Sequence, residues 1–226
     1  MGPSLVPCKI IIFDVDGVLL TVTDARGRYL WSLDAKEKLG FRTQHFQKIF
    51  NVDWEDCVTT GKIDTKDYLA RVFHDPVFDD IQISPNDFID YWLRDSNNGS
   101  TTYKINQPLV RFIETLEIPV GIGTNQDPYR TQWIKSLIGH QPFDFIFSSS
   151  SIGANKPDAL FFHHIQKVLN VPASEILLVD DTQANIDGAK QQGWEAFFYD
   201  NSLDELIKFI DKWIVMSVLL FTENLR

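Results

Sequence analysis

KIIIFDVDGVLL, residues 9–20, decides how the rest of the chain is read. Ile10–Phe13 is a continuous apolar run bounded by Lys9 and Asp14, which predicts a strand buried on both faces, as in a parallel sheet. Asp14 and Asp16 follow with one residue between them, and Gly17 comes next. Two carboxylates at the end of a buried strand raise each other's pKa. A divalent cation is the usual compensation, and hard oxygen donors favour magnesium. In an open α/β sheet, ligands bind at the carboxyl ends of the strands. The segment therefore points to a metal-dependent active site; the alternative is a strand that ends in an Asp-rich turn.

The texture changes after this strand. Residues 21–106 carry helical periodicity broken by polar turns: WSLDAKEKLG, HFQKIF, TKDYLARVF and PNDFIDYWLRD place apolar residues three and four apart. TVTDARGRY reads as a loop or short hairpin. Thr65 and Ser84 are expected as helix N-caps, with Pro85 at a first helical position. From Pro108 onward strand and helix alternate. IPVGIGTN, FDFIFSSS, EILLVDD and WEAFFY read as strands, and the stretches between and after them as helices. Such alternation implies parallel strands with right-handed crossovers. The expected architecture is α/β: a parallel sheet built from residues 1–20 and 108–226. A helical stretch, residues 21–107, is inserted in it.

Composition narrows the partners. The chain has 226 residues, 44% of them hydrophobic, and a formal net charge of -10 at pH 7. That balance argues against nucleic acid or an anionic membrane as partner. Cys8 and Cys57 are far apart and make no metal-ligand pair, which fits reduced thiols in the cytoplasm. MGPSLVPCK has no secretory pattern and lacks the hydroxyl residue of a myristoylation signal. The apolar run IVMSVLLF, residues 214–221, is shorter than the roughly 20 residues that a membrane-spanning helix needs. It is expected as a last buried element, or else as a surface that supports a homodimer.

Four polar clusters fall just after predicted strands: Asp14 with Asp16, Thr124 with Asn125, Lys156 with Pro157, and Asp180 with Asp181. Singly, GTN fits a turn, NKPD a loop and DD a helix cap. Together they belong on one edge, because parallel strands align their carboxyl ends. In order and in combination, FDVDGVLL, GIGTNQ, NKPD and LLVDDTQANIDGAKQQGW resemble the four signature motifs of the haloacid dehalogenase superfamily. The resemblance spans nearly the whole chain and implies a Rossmann-like core, with helices on both faces of its sheet, and a small helical cap domain at residues 21–107. It implies that Asp14 is the nucleophile and that Asp16 is the general acid and base. It further implies that Thr124, with Asn125 beside it, binds a phosphoryl oxygen, and that Lys156 offsets the clustered negative charge. Magnesium would be held by Asp14, the Asp16 main-chain carbonyl and Asp181, with Asp180 in support.

Asp16 also separates subfamilies, since the dehalogenases generally lack an acid there: a halide leaves without a proton. The resemblance thus implies a magnesium-dependent phosphatase of small phosphate esters, sugar phosphates among them. The alternatives are a phosphomutase of the β-phosphoglucomutase type and a non-catalytic relative. Arg26, Arg28, Lys62 and Trp54 face either a substrate or, respectively, solvent and the cap core. His163 and His164 lack metal-ligand spacing, and Trp133, Trp194 and Trp213 are expected to pack the core.

Overall fold

The computed structural model describes residues 9–94, 103–138 and 142–223, with the backbone alone for residues 138 and 216–223. The strands run β1 (Ile10–Phe13), β2 (Leu20–Thr21), β3 (Lys104–Ile105), β4 (Val120–Thr124), β5 (Phe145–Ser148), β6 (Ile176–Asp180) and β7 (Glu195–Phe198). The helices are α1 (Ala35–Leu39), α2 (Thr43–Ile49), α3 (Thr65–Val72), α4 (Pro85–Trp92) and α5 (Gln107–Ile113). They continue with α6 (Pro128–Ile138), α7 (Ser149–Ile152), α8 (Ala159–Leu169), α9 (Gln183–Gln191) and α10 (Leu203–Glu223).

β1 is the middle of a five-stranded parallel sheet ordered β5-β4-β1-β6-β7. Its alternate side chains build two cores, as the period of a strand requires. Ile11 and Phe13 face Leu109, Ile113, Leu206 and Ile210, whereas Ile10 and Ile12 face Phe161, Phe162, Ile165 and Ile186. Helices therefore cover both faces, and the unbroken apolar run of β1 is explained by that double burial. Phe13 is in register with Ile122 and Val179, which brings the residues after all three strands to one edge.

β2 and β3 form a separate antiparallel pair, with Leu20 opposite Ile105 and Thr21 opposite Lys104. Both crossings between the sheet and the helical insertion thus run side by side. Asn106 fastens this junction by donating from Nδ2 to the Val18 carbonyl at 3.1 Å and to the Tyr199 hydroxyl at 2.9 Å. The insertion has its own core, rich in aromatic rings. Trp31 packs edge-on to Phe46 at 5.4 Å, and Phe50 to Trp54 at 4.9 Å. Edge-to-face pairs of this kind add about 0.5–1.5 kcal/mol each beyond the area they bury. Trp54 is therefore a core residue of the insertion.

Two local details differ from expectation. Asp64, and not Thr65, caps α3: its carboxylate accepts from the main-chain N–H groups of Lys66 and Asp67. A carboxylate gains from the dipole at a helix N-terminus as well as from the hydrogen bonds, so it outcompetes the neighbouring hydroxyl. Ser84 does cap α4, in a capping box with Asp87, and Pro85 takes the first helical position. At the other end of the chain, residues 214–221 do not form a separate element; the backbone continues α10 through them. Val215 is exposed, and the side chains from residue 216 onward lie outside the described residues. Trp194 and Trp213 are buried and Trp133 packs half-buried on the core, while His163 and His164 are exposed.

Candidate active site

Asp14 follows β1 directly and is nearly buried, with its main-chain N–H donating to the Val179 carbonyl at 2.9 Å. Lys156 Nζ lies 3.0 Å from Asp14 Oδ1 and 2.6 Å from Asp180 Oδ2. Burial alone would push the ammonium of Lys156 down, but Asp14 and Asp180 outweigh it and hold the pKa above its ordinary value. Burial also dominates at Asp14, where it pushes the carboxyl up to about 7 against the pull of Lys156, with Asp180 adding to the rise. One cation between two buried carboxylates leaves this corner short of positive charge.

Asp180 has no free capacity: it accepts from Lys156, from the Thr182 N–H at 2.9 Å, and from Asn185 Nδ2 at 3.0 and 3.1 Å. Asp181 is exposed as a whole residue, but its carboxyl group is partly shielded from solvent, and that desolvation, followed by the charge of Asp180, raises its pKa. Gly17 makes room for it. That residue has φ +81°, and a β-carbon there would fall on the Asp181 carboxylate. One oxygen each from Asp14, Asp180 and Asp181 lies within 4.8 Å of the others. Oxygen donors so close, with the carboxyls of Asp14 and Asp181 both raised, fit a hard divalent cation such as magnesium.

Thr124 ends β4 and is buried beside this group. Asn125 spends its side chain on the neighbouring loop: Nδ2 donates to the Lys156 carbonyl at 2.9 Å, and Oδ1 accepts from the Lys156 N–H at 2.8 Å. This two-bond clamp fixes the lysine's backbone. Asp16 turns the other way, and its Oδ1 and Oδ2 accept from Arg130 Nη2 at 2.6 Å and Gln126 Nε2 at 3.0 Å.

A cavity of about 410 Å³ opens onto Asp14, Asp16, Thr124, Asn125, Lys156 and Asp181, so the sheet edge gathers all of these in one place. Asp180 stands behind it. From the insertion, Val22, Thr23, Tyr29 and Glu55 complete the wall. The cations weighed for that role are engaged elsewhere: Arg28 pairs with Asp24 at 2.7 Å, and Lys62 donates to the Asp56 carbonyl at 3.0 Å, while Arg26 is exposed. A larger groove, about 540 Å³, runs along the end of α8 past His163 and Lys167 and holds none of these groups.

The insertion is seated by polar contacts. Thr59 Oγ1 donates to Asn155 Oδ1 at 3.0 Å, Asn155 Nδ2 to the Glu55 carbonyl at 2.6 Å, and Ser149 Oγ to the Thr59 carbonyl at 2.6 Å. Gly61 lets the two backbones meet, because a β-carbon there would lie 2.5 Å from the Ser150 carbonyl oxygen. Thr65 Oγ1 donates to Asp127 Oδ1 at 3.0 Å.

Gln126, Asp127 and Arg130 are residues that the sequence reading passed over. One signal was present: Asp127 before Pro128 is an N-cap followed by a first-turn proline, and Asp127 does accept from the N–H groups of Tyr129 and Arg130.

An open parallel sheet with acidic, hydroxyl and lysine side chains on its carboxyl edge, beneath an inserted helical layer, is the architecture of one class of hydrolases. Residues 8–193 match the haloacid dehalogenase-like hydrolases, and the chain belongs to that family. It is 36% identical over 61 residues to sesquiterpene phosphatase astK of Aspergillus oryzae, a stretch covering 27% of this chain and 31% of that protein. It is 33% identical over 57 residues to drimenol cyclase drtB of Aspergillus calidoustus, covering 25% of this chain and 11% of that protein. Both matches therefore span under a third of the relative's length. Among solved structures, a family enzyme from Bacteroides thetaiotaomicron in complex with magnesium and inorganic phosphate superposes with a TM-score of 0.68 at 15% identity, over 88% of this chain and 98% of that one. No helix among the described residues is long and apolar enough to cross a membrane.

Proposed function

We propose that this hydrolase is a magnesium-dependent phosphatase of small phosphate monoesters that works through an aspartyl-phosphate on Asp14. The observation that carries the reading is the pair of aspartates on one cavity: Asp14 fixed by Lys156, and Asp16 beside it. An Asp14 oxygen attacks phosphorus as the bond to the leaving oxygen breaks, and Asp16 gives that oxygen a proton. Asp16 then takes a proton from water, which attacks phosphorus, frees Asp14 and leaves inorganic phosphate. Thr124 holds a phosphoryl oxygen. Lys156 steadies Asp14 and offsets charge, and Asn125 keeps Lys156 in place. Asp14, the Asp16 main-chain carbonyl and Asp181 are the ligands for magnesium, which when bound supplies positive charge to the phosphoryl oxygens. Asp180, saturated by its own partners, supports the metal site through Lys156.

A cavity of about 410 Å³ is near the small end of ligand sites and suits a metabolite ester rather than a polymer. The relative named as a sesquiterpene phosphatase supports phosphate-ester hydrolysis as the chemistry. The insertion, residues 21–107, acts as a cap that excludes water and bulky substrates. The wide separation of Cys8 and Cys57 in sequence suits reduced thiols, and we place the protein in the cytoplasm as a monomer or homodimer. The test is p-nitrophenyl phosphate hydrolysis with and without magnesium, on wild type and Asp14→Asn. Turnover that needs both is the expected result; turnover that survives Asp14→Asn would sink the phosphoenzyme.

A further inference from the structure

Gln126, just before α6, and Arg130, in its first turn, hold Asp16 by both carboxylate oxygens, and Arg130 makes the shorter of the two bonds. Arg130 is only 6% exposed, and its Nε has no partner among the described residues. Its guanidinium lies between two rings, 5.5 Å from the centre of Trp92 and 5.3 Å from that of Trp133. Trp92 belongs to the aromatic core of the insertion, and Trp133 packs on the core of the sheet.

A buried guanidinium is costly to desolvate, and a charge-assisted bond and aromatic faces offset that cost. Its rigid fork fixes direction as well as distance. Gln126 and Asp16 line the cavity, whereas Arg130 does not. Arg130 therefore reaches the chemistry through Asp16 and not by touching a phosphate. Each carboxylate oxygen has two lone pairs, so one bond to each leaves room for the proton that passes to and from the leaving oxygen. A misplacement of about 1 Å in such a group can cost about a hundredfold in rate.

We infer that Arg130, aided by Gln126, is the positioning residue for Asp16, and that its contact with Trp92 ties this alignment to the seating of the cap. The inference rests on the phosphatase reading. Its test is leaving-group dependence. Substituted phenyl phosphates, from the p-nitrophenyl to the p-methoxyphenyl ester, differ in how much they need a proton as the bond breaks. Arg130→Met is expected to lower kcat/KM on the poorest leaving group about tenfold more than on p-nitrophenyl phosphate, within the range general acid catalysis supplies. Asp16→Asn is expected to show the same steepening, and the double variant to be no worse than Asp16→Asn alone. Equal losses across the series, or additive losses in the double variant, would overturn the inference. A crystal structure of Arg130→Met gives a readout that needs no turnover. Displacement of the Asp16 carboxylate is expected, and a carboxylate that stays put overturns the positioning role. If wild type hydrolyses none of the esters while Asp16 moves in Arg130→Met, the phosphatase reading fails and the positioning stands.

Discussion

Thr65 and Asp127 meet across the boundary between insertion and sheet: both are buried, and the threonine hydroxyl donates to the carboxylate at 3.0 Å. The same oxygen, Oδ1, caps α6, while Oδ2 has no partner among the described residues. Burial pushes this carboxyl up, and the Thr65 bond pulls it back. Replacing Thr65 with valine keeps the shape and deletes the bond. The expected cost is about 1–3 kcal/mol, that of leaving a buried acceptor short of a partner. Urea unfolding measures it; a midpoint within error of wild type would show that the bond is idle.

Lys156 is the sole cation within ion-pair distance of Asp14 and Asp180 among the described residues. Lys156→Met leaves two buried carboxylates facing each other. Loss of one partner from such a group costs about 3–5 kcal/mol. The expected outcome is a large fall in melting temperature that magnesium partly reverses, read by calorimetry with chelator and with metal.

Asn125 separates positioning from charge. Asn125→Ala removes both bonds to the Lys156 backbone and leaves the ammonium present. Turnover is expected to fall about tenfold or more while magnesium affinity, followed by titration calorimetry, changes little, because misaligned groups lose rate before they lose charge. A parallel loss of metal binding would move Asn125 into the metal site.

Asp14 gives the metal-free protein a defined pH dependence. Its carboxyl is raised from an ordinary 3.8 to about 7, so the folded state holds this proton more tightly than the unfolded chain does. Its stabilising effect is full below about pH 4 and is lost as pH rises to about 7. Asp14→Asn cannot ionise and lacks this term. In chelator, the melting temperature of wild type minus that of Asp14→Asn is therefore expected to decline between about pH 4 and 7 and then level off. A difference that is flat with pH would remove the raised pKa.

Gly17→Ala tests the turn after β1. The substitution strains a backbone at φ +81° and drives a methyl group into the Asp181 carboxylate. Magnesium affinity is expected to drop, by about tenfold or more, at a cost in stability of about 1–3 kcal/mol.

The clusters at the strand ends were legible because each rule involved is local. Ile10–Phe13 is apolar enough to be a doubly buried strand, and any polar residue after it must emerge at the carboxyl edge. Thr124 and Asp181 obey the same logic, but Lys156 does not follow its strand directly: the short helix α7 lies between β5 and the lysine loop. Asp16's partners were not legible in that way. Gln126 and Arg130 lie 110 and 114 residues from it, and nothing in QDPYR says which acid the guanidinium will meet. Tyr29 and Glu55 were hidden for the opposite reason: Tyr29 sits on an isolated bridge with Thr23 and Glu55 in a π-helical turn, Trp54–Val58, where neither the strand nor the α-helix period tells which way a side chain faces. Thr65 shows a third case, a residue whose expected role as a cap went to Asp64 and whose hydroxyl was thereby free to bridge two layers.

The pairing of Leu20–Thr21 with Lys104–Ile105 means that the chain leaves the sheet and returns to it at a single doorway. Whatever is threaded between those two strands can be lengthened, shortened or replaced without altering the order in which β1 and β4 are laid down. On the proposed mechanism the reacting groups belong to the sheet, while Val22, Thr23, Tyr29 and Glu55 of the insert supply part of the cavity wall, so a changed insert alters specificity on an unchanged chemical engine.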